Sequence, residues 1–211
     1  MSENDIRPSS EANMTRWFYN KYAGVRYSLV APNMFVHWRN EMDIFGLRKS
    51  GYSDEVEIKH SVTDFKADFK KTTLVKCEEY TPEKTFRLCK FYYCNKCQGT
   101  GKQLISGDPC GHWQNYGKRT YKDMNKHEAI AGGLGTANYF SFFVPEYLAD
   151  QIAIPDYAGL YVCSDSDTGL CRIKEVKRPS ILHKNKLTEA QVTKVAMKMA
   201  TRFWTGASTD D

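Results

Sequence analysis

The sequence predicts an α/β fold, a sandwich of helices around a mixed sheet. Three observations carry that reading. Two segments of alternating polarity, 41–47 and 55–60, flank a turn at 49–53. A strongly apolar run at 138–145 reads as a strand. Segments of helical spacing stand at both ends, 10–22 and 188–204.

The elements follow in order. Residues 1–9 are polar and are expected to be disordered. Ser9 or Ser10 caps a helix to about Tyr22, with Met14, Trp17 and Phe18 at helical spacing. Residues 25–36 form a strand that breaks or ends near Pro32. In the first alternating segment, Met42 and Ile44 share one face, and Glu41, Asp43 and Phe45 the other. In the second, Val56 and Ile58 oppose Glu57 and Lys59. A short helix, DFKADFKK, follows from Asp64, with Phe65 and Phe69 four apart.

Residues 76–135 are rich in Cys, Gly, Lys and Tyr and lack a long period; they read as an insertion. The core is thus 10–75 with 136–205, and 206–211 is a tail. After the apolar strand come a short helix or turn at 146–152 and two strands, 159–163 and 171–177, around a turn-rich loop. Thr188-Glu189-Ala190-Gln191 is a capping box. It opens a helix to about Trp204, with Val192, Val195, Met199 and Phe203 on one face.

A chain of 211 residues suits one domain with an insertion and buries an ample core. Its charge of +5 is compatible with a polyanion partner. No apolar run reaches the roughly 18 residues that span a bilayer, and the polar start does not resemble a secretory signal. Four of the seven cysteines crowd between Cys89 and Cys110, a pattern more suited to metal than to disulfides in a reducing compartment. The expected location is the cytoplasm of a bacterial host cell, for a gene of the cell or of a phage.

The chemistry concentrates between Glu41 and Lys71. With a turn near Ser50 or Gly51, Asp43 lies opposite Glu57 or Lys59, so one sheet face carries two carboxylates and a lysine. Asp43, Glu57 and the backbone carbonyl of Ile58 suit Mg²⁺ or Mn²⁺, which keeps waters and phosphate oxygens as its other ligands. Such an ion polarises a phosphodiester and lowers the pKa of a bound water. Lys59 beside it would orient that water or stabilise the charged phosphorane. Glu41 is an auxiliary acid, and Lys66, Lys70 and Lys71 would grip a phosphate backbone. The competing reading is an exposed hairpin with charges on its wet face.

Asp43, then Glu57-Ile58-Lys59, Ser61, and Asp64-Phe65-Lys66-Ala67-Asp68-Phe69-Lys70-Lys71 resemble the PD-(D/E)XK nuclease superfamily. They are most similar to its small MmcB-type DNA-repair branch, with an E-V-K-S-S…D-F-x-x-D-x-K segment. Phe140-Ser141-Phe142-Phe143-Val144-Pro145, followed by Pro155 and Ala158-Gly159-Leu160-Tyr161-Val162, is also like that branch. The resemblance covers about 10–75 and 136–180. It implies a restriction-endonuclease-like αβββαβ core and metal-dependent DNA cleavage. Asp43 and Glu57 would be metal ligands and Lys59 the catalytic lysine. Glu11 is the candidate for the acid that many relatives carry on the first helix, and Ser61 is an auxiliary. The proline of the superfamily's name is absent; Met42 precedes Asp43.

Cys94-x-x-Cys97, with Cys110-Gly111-His112 after a Gly-rich stretch, matches structural zinc spacing approximately; Cys89 or Cys77 is a substitute ligand and His127 is nearby. Free reduced cysteines in a loop are the equal alternative. The expected function is a Mg²⁺- or Mn²⁺-dependent nuclease acting on DNA, with RNA not excluded, in repair, recombination or phage DNA processing. A catalytically silent nucleic-acid-binding or regulatory protein on the same fold is the alternative.

Overall fold

The computed structural model describes residues 10–36, 41–76, 86–89, 113–116, 121–165 and 171–205. Helix α1 (Glu11–Tyr22) is capped by Ser10, whose hydroxyl accepts from the Asn13 N–H at 3.3 Å. Strands β1 (Tyr27–Met34), β2 (Met42–Arg48) and β3 (Ser53–Ile58) form an antiparallel meander. Helix α2 (Val62–Asp68) and β4 (Thr72–Lys76) follow, then β5 (Phe86–Cys89), β6 (Trp113–Tyr116) and β7 (Tyr121–Asn125). The chain then runs through α3 (Lys126–Ala131), β8 (Tyr139–Pro145), α4 (Glu146–Ala149), β9 (Ala158–Asp165), β10 (Cys171–Lys177) and α5 (Glu189–Thr205).

Six strands make one mixed sheet in the order β1-β2-β3-β8-β9-β10. The β3–β8 and β8–β9 pairs are parallel, and the others antiparallel. The inner strands β3 and β8 are buried on both faces, as a parallel pair requires. On one face Met14 and Phe18 of α1 pack on Tyr27, Ile44, Val56, Ile58, Phe143 and Tyr161. On the other, Phe65 of α2 and Ile130 of α3 pack on Phe140, Phe142 and Leu160. A third cluster seats Val195 of α5 against Ala31, Met34, Met42 and Phe45.

Several expectations are corrected. The first strand continues through Pro32 to Met34. Pro32 is tolerated there because β1 is a sheet edge, with a ladder on one side only. Met42 parts from Ile44 and joins Phe45 in the third cluster. Phe203 leaves the buried stripe of α5 and is 79% exposed.

Two compact units emerge: Met1–Thr73 with Met124–Asp211, and Leu74–Asp123. The insertion read as 76–135 therefore ends near Asp123. Residues 124–135 belong to the first unit because Ala129 and Ile130 are buried and Ile130 joins the core of the second face. The second unit contains the antiparallel β5–β6 pair. Among the described residues no helix is long and apolar enough to cross a membrane.

Candidate active site

Strand β3 presents Val56 and Ile58 to α1, so alternation turns Glu55, Glu57 and Lys59 toward α2 and α3. The β2–β3 pairing ends at Ile44↔Val56, which puts Asp43 opposite Glu57 one step further on. Asp43 Oδ2 accepts from the Ile58 N–H at 2.7 Å, locking its carboxylate between Glu57 and Lys59 in the chain. This is not the wet face of an exposed hairpin: Glu57 is 2% exposed and Lys59 is 3% exposed.

Buried charges demand partners, since each costs several kcal/mol to desolvate. Here the partners form a closed ring of alternating charge. Lys59 Nζ lies 3.1 Å from Glu57 Oε2 and 3.4 Å from Asp68 Oδ1. Lys126 Nζ lies 3.0 Å from Glu57 Oε1 and 3.3 Å from Asp68 Oδ2. Two carboxylates, one from β3 and one from α2, are thus bridged by two ammonium groups. The Lys59 position is set by its backbone N–H, which donates to Phe143 O at 3.1 Å and extends the β3–β8 ladder.

Asp68 carries more than the ring. It takes Lys71 Nζ at 2.7 Å and His127 Nε2 at 2.8 Å. His127 Nδ1 lies 2.6 Å from the Tyr157 hydroxyl, and its ring stacks on Phe69 at 4.0 Å. With Nε2–H donating to the carboxylate, Nδ1 is the acceptor for the tyrosine O–H in the neutral imidazole. A chain of hydrogen bonds therefore runs Asp68–His127–Tyr157 away from the ring. Burial alone would raise the Asp68 pKa, but His127, Lys126, Lys59 and Lys71 together hold it well below the usual carboxylate range. Burial would also favour the neutral amines of Lys59 and Lys126. The facing carboxylates, Glu57 foremost, keep both charged, with pKa values above the ordinary lysine value.

The other two acids behave oppositely. Burial, then the Glu57 charge, pushes Asp43 up to about 7; Glu11 adds to that field, while the Ile58 N–H and Lys59 oppose it. Burial pushes Glu55 up to about 8, against the pull of Lys126. The surrounding cations thus hold Asp68 charged, while burial pushes Asp43 and Glu55 toward their neutral forms.

The remaining sequence-predicted residues divide clearly. Glu11, at the start of α1, contributes to the field at Asp43. Glu41 is exposed and makes no hydrogen bond among the described residues. Ser61 is exposed and serves as the N-cap of α2, accepting from the Asp64 N–H at 3.1 Å. The helix expected to run to Lys71 ends at Asp68. Lys66 is exposed on it and Lys70 is exposed beyond it, while Lys71 is half-exposed and tied to Asp68. Cys94, Cys97, Cys110 and His112, with Cys77, lie outside the described residues. His127 belongs to the Asp68 cluster.

Sequence reading missed the roles of Lys126, Asp68, His127 and Tyr157. The one available signal was Asp68 itself, four residues after Asp64 and flanked by Phe65 and Phe69, which places it on the buried side of α2. Lys126 and His127 carry no motif.

The donor set admits a hard divalent ion. Asp43 Oδ1 has no hydrogen-bond partner among the described residues, and the mutual repulsion of Asp43 and Glu57 would be relieved by a cation between them. Among the described residues no three His, Cys, Asp or Glu side chains group to hold a metal. Any ion there would rest on two carboxylates, backbone oxygen, water and substrate, which is the habit of Mg²⁺ rather than of zinc.

No family model matches the chain, and no curated protein matches it. Among solved structures it is similar to a protein of unknown function from Silicibacter pomeroyi. The two are 14% identical with a TM-score of 0.51, over 97% of this chain and 94% of that one. At this identity the likeness speaks to the fold alone, a mixed α/β architecture with a six-stranded sheet and helices.

Proposed function

We propose that this protein is a metal-dependent nuclease of the PD-(D/E)XK type that hydrolyses DNA phosphodiester bonds. One observation carries the reading: Asp43 is hydrogen-bonded to the backbone N–H between Glu57 and Lys59, so the three residues meet at one end of the β2–β3 pair. The order helix, three-strand meander, helix, parallel strand agrees with an αβββαβ core. Asp43 and Glu57, with the Ile58 carbonyl, would hold Mg²⁺ or Mn²⁺. When bound, the ion supplies a Lewis acid for the scissile phosphate and a water of lowered pKa. Lys59 supplies a fixed positive charge for the phosphorane, held in place by Glu57 and Asp68. Exposed Lys66 and Lys70 would contact the DNA backbone. DNA repair, recombination or phage DNA processing, in the cytoplasm, is the setting this activity fits.

A second reading, a silent nucleic-acid-binding module on the same fold, is favoured by the double clamping of Glu57 by two lysines. Plasmid, single-stranded DNA and RNA incubated with Mn²⁺ or EDTA separate the two. Cleavage with Mn²⁺ is expected, falling at least about 100-fold in folded Lys59→Ala and Asp43→Asn. Cutting that persists in EDTA or in both variants would sink the nuclease assignment; binding without cutting favours the module.

A further inference from the structure

Lys126 is 2% exposed, yet no sequence motif contains it. Its ammonium stands between two carboxylates that approach from different elements, 3.0 Å from Glu57 and 3.3 and 3.4 Å from the two oxygens of Asp68. Glu55, on the same strand face as Glu57, adds to the field around it. The backbone fixes this position: the Lys126 N–H donates to Lys71 O at 2.8 Å, and Asn125 caps the helix that Lys126 opens. In two-metal phosphodiesterases a second ion, held by the carboxylates of the site, would help stabilise the attacking and leaving oxygens. Here a tethered amine already bridges the two carboxylates.

Lys59 and Lys126 together balance Glu57 and Asp68, so the ring has no remaining demand for charge. Negative charge remains on the other side of Glu57, at Asp43, where Glu11 reinforces it, the Ile58 N–H and Lys59 offset it only in part, and one carboxylate oxygen has no hydrogen-bond partner among the described residues. Resting on the nuclease reading above, we propose that Lys126 is a built-in cation in the second metal position, so that the site takes a single divalent ion, on the Asp43 side of Glu57. Lys126 is then a positioning residue: it orients Glu57 and excludes a competing ion.

The test is a Mn²⁺ count on EDTA-stripped full-length protein, with free Mn²⁺ followed by electron paramagnetic resonance. Wild type is expected to bind one ion, and Lys126→Arg one. Lys126→Gln, which leaves Glu57 and Asp68 facing without their bridge, should bind two; adding Asp43→Asn should remove one of them. Because Lys126→Gln exposes buried carboxylates to each other, its folding is checked by circular dichroism with and without Mn²⁺. Recovery of fold on adding Mn²⁺ supports the proposal. If the variant folds in neither condition, the wild-type count decides: one supports, two overturns. Two ions in wild type, or one ion at unchanged affinity in folded Lys126→Gln, overturns it. An ion-free wild type whose Lys126→Gln variant gains an ion defeats the nuclease reading but keeps Lys126 as the resident cation. Wild type and variant both ion-free defeat both.

Discussion

Asp68 is fully buried and has four partners, Lys59, Lys71, Lys126 and His127. Removing its charge would leave two ammonium groups, themselves almost fully buried, sharing Glu57 alone. Asp68→Asn preserves shape and deletes only charge, so it isolates the electrostatic role. Breaking a buried pair from one side costs about 3–5 kcal/mol, and we expect a loss of that size in urea unfolding at neutral pH. A loss below about 1 kcal/mol, the scale of a surface pair, would show that the ring does not hold in solution. The salt bridge of Arg48 with Asp54, at 2.5 Å on the opposite face, shows the same principle without the convergence: one buried acid, one arginine, and Tyr139 beneath the guanidinium at 3.5 Å.

At the scale of elements, α3 decides whether the site exists. It has six residues, too few to fold on its own merits, and it depends on its cap and its packing. Asn125 Oδ1 accepts from the His127 and Glu128 N–H groups at 2.8 and 3.2 Å, while its Nδ2 donates to Phe69 O at 2.6 Å. One side chain thus caps α3 and ties it to the end of α2. Asn125→Ala should cost about 1–2 kcal/mol in thermal or urea unfolding. If the nuclease reading holds, cleavage at a temperature where the variant is fully folded should also fall, because Lys126 and His127 lose their anchored start. Asn125→Asp keeps the cap acceptor but loses the donor to Phe69 O, so it should restore only part of the stability. Equal stability of the alanine variant and wild type would remove Asn125 from this role.

At the scale of the whole molecule, the acids set how stability follows pH. Burial pushes Asp43 up to about 7 and Glu55 up to about 8, above the ordinary carboxylate range. The native state therefore keeps protons that the unfolded chain has released, and stability falls as pH rises from about 4 through 8. Asp68 acts with the opposite sign: its contribution is complete at neutral pH and is lost only in acid, as pH falls below the ordinary carboxylate pKa. One retained proton corresponds to about 1.4 kcal/mol per pH unit. Glu55→Gln, which carries no proton to lose, should flatten the decline between pH 5 and pH 8 by an amount of that order per unit. Urea unfolding at both pH values gives the slope; an unchanged slope would mean Glu55 is charged in the native protein.

Local chemistry was legible in the chain. Ser10 and the Thr188–Gln191 box announce helix starts, and both are formed, with Gln191 N donating to Thr188 Oγ1 at 3.3 Å and Thr188 N to Gln191 Oε1 at 2.9 Å. Alternation in 41–47 and 55–60 located the strand pair and placed Asp43 opposite Glu57 or Lys59, because a period of two is a property of any extended strand; the pairing of Ile44 with Val56 selects Glu57. Lys126 and His127 were not legible: each lies 58 or 59 residues from Asp68 in the chain, beyond any local period or spacing. Outside residues 72–135, the sequence by itself determined which segments form strands and helices, and it determined which two carboxylates and lysine share a face; the strands β4 to β7 and helix α3 were not legible. Only the tertiary structure decided that this face is buried and that Asp68 and Lys126 close it into a ring. A charge inside a protein must find its partner wherever the fold delivers one, and that delivery is a property of packing, not of neighbourhood along the chain.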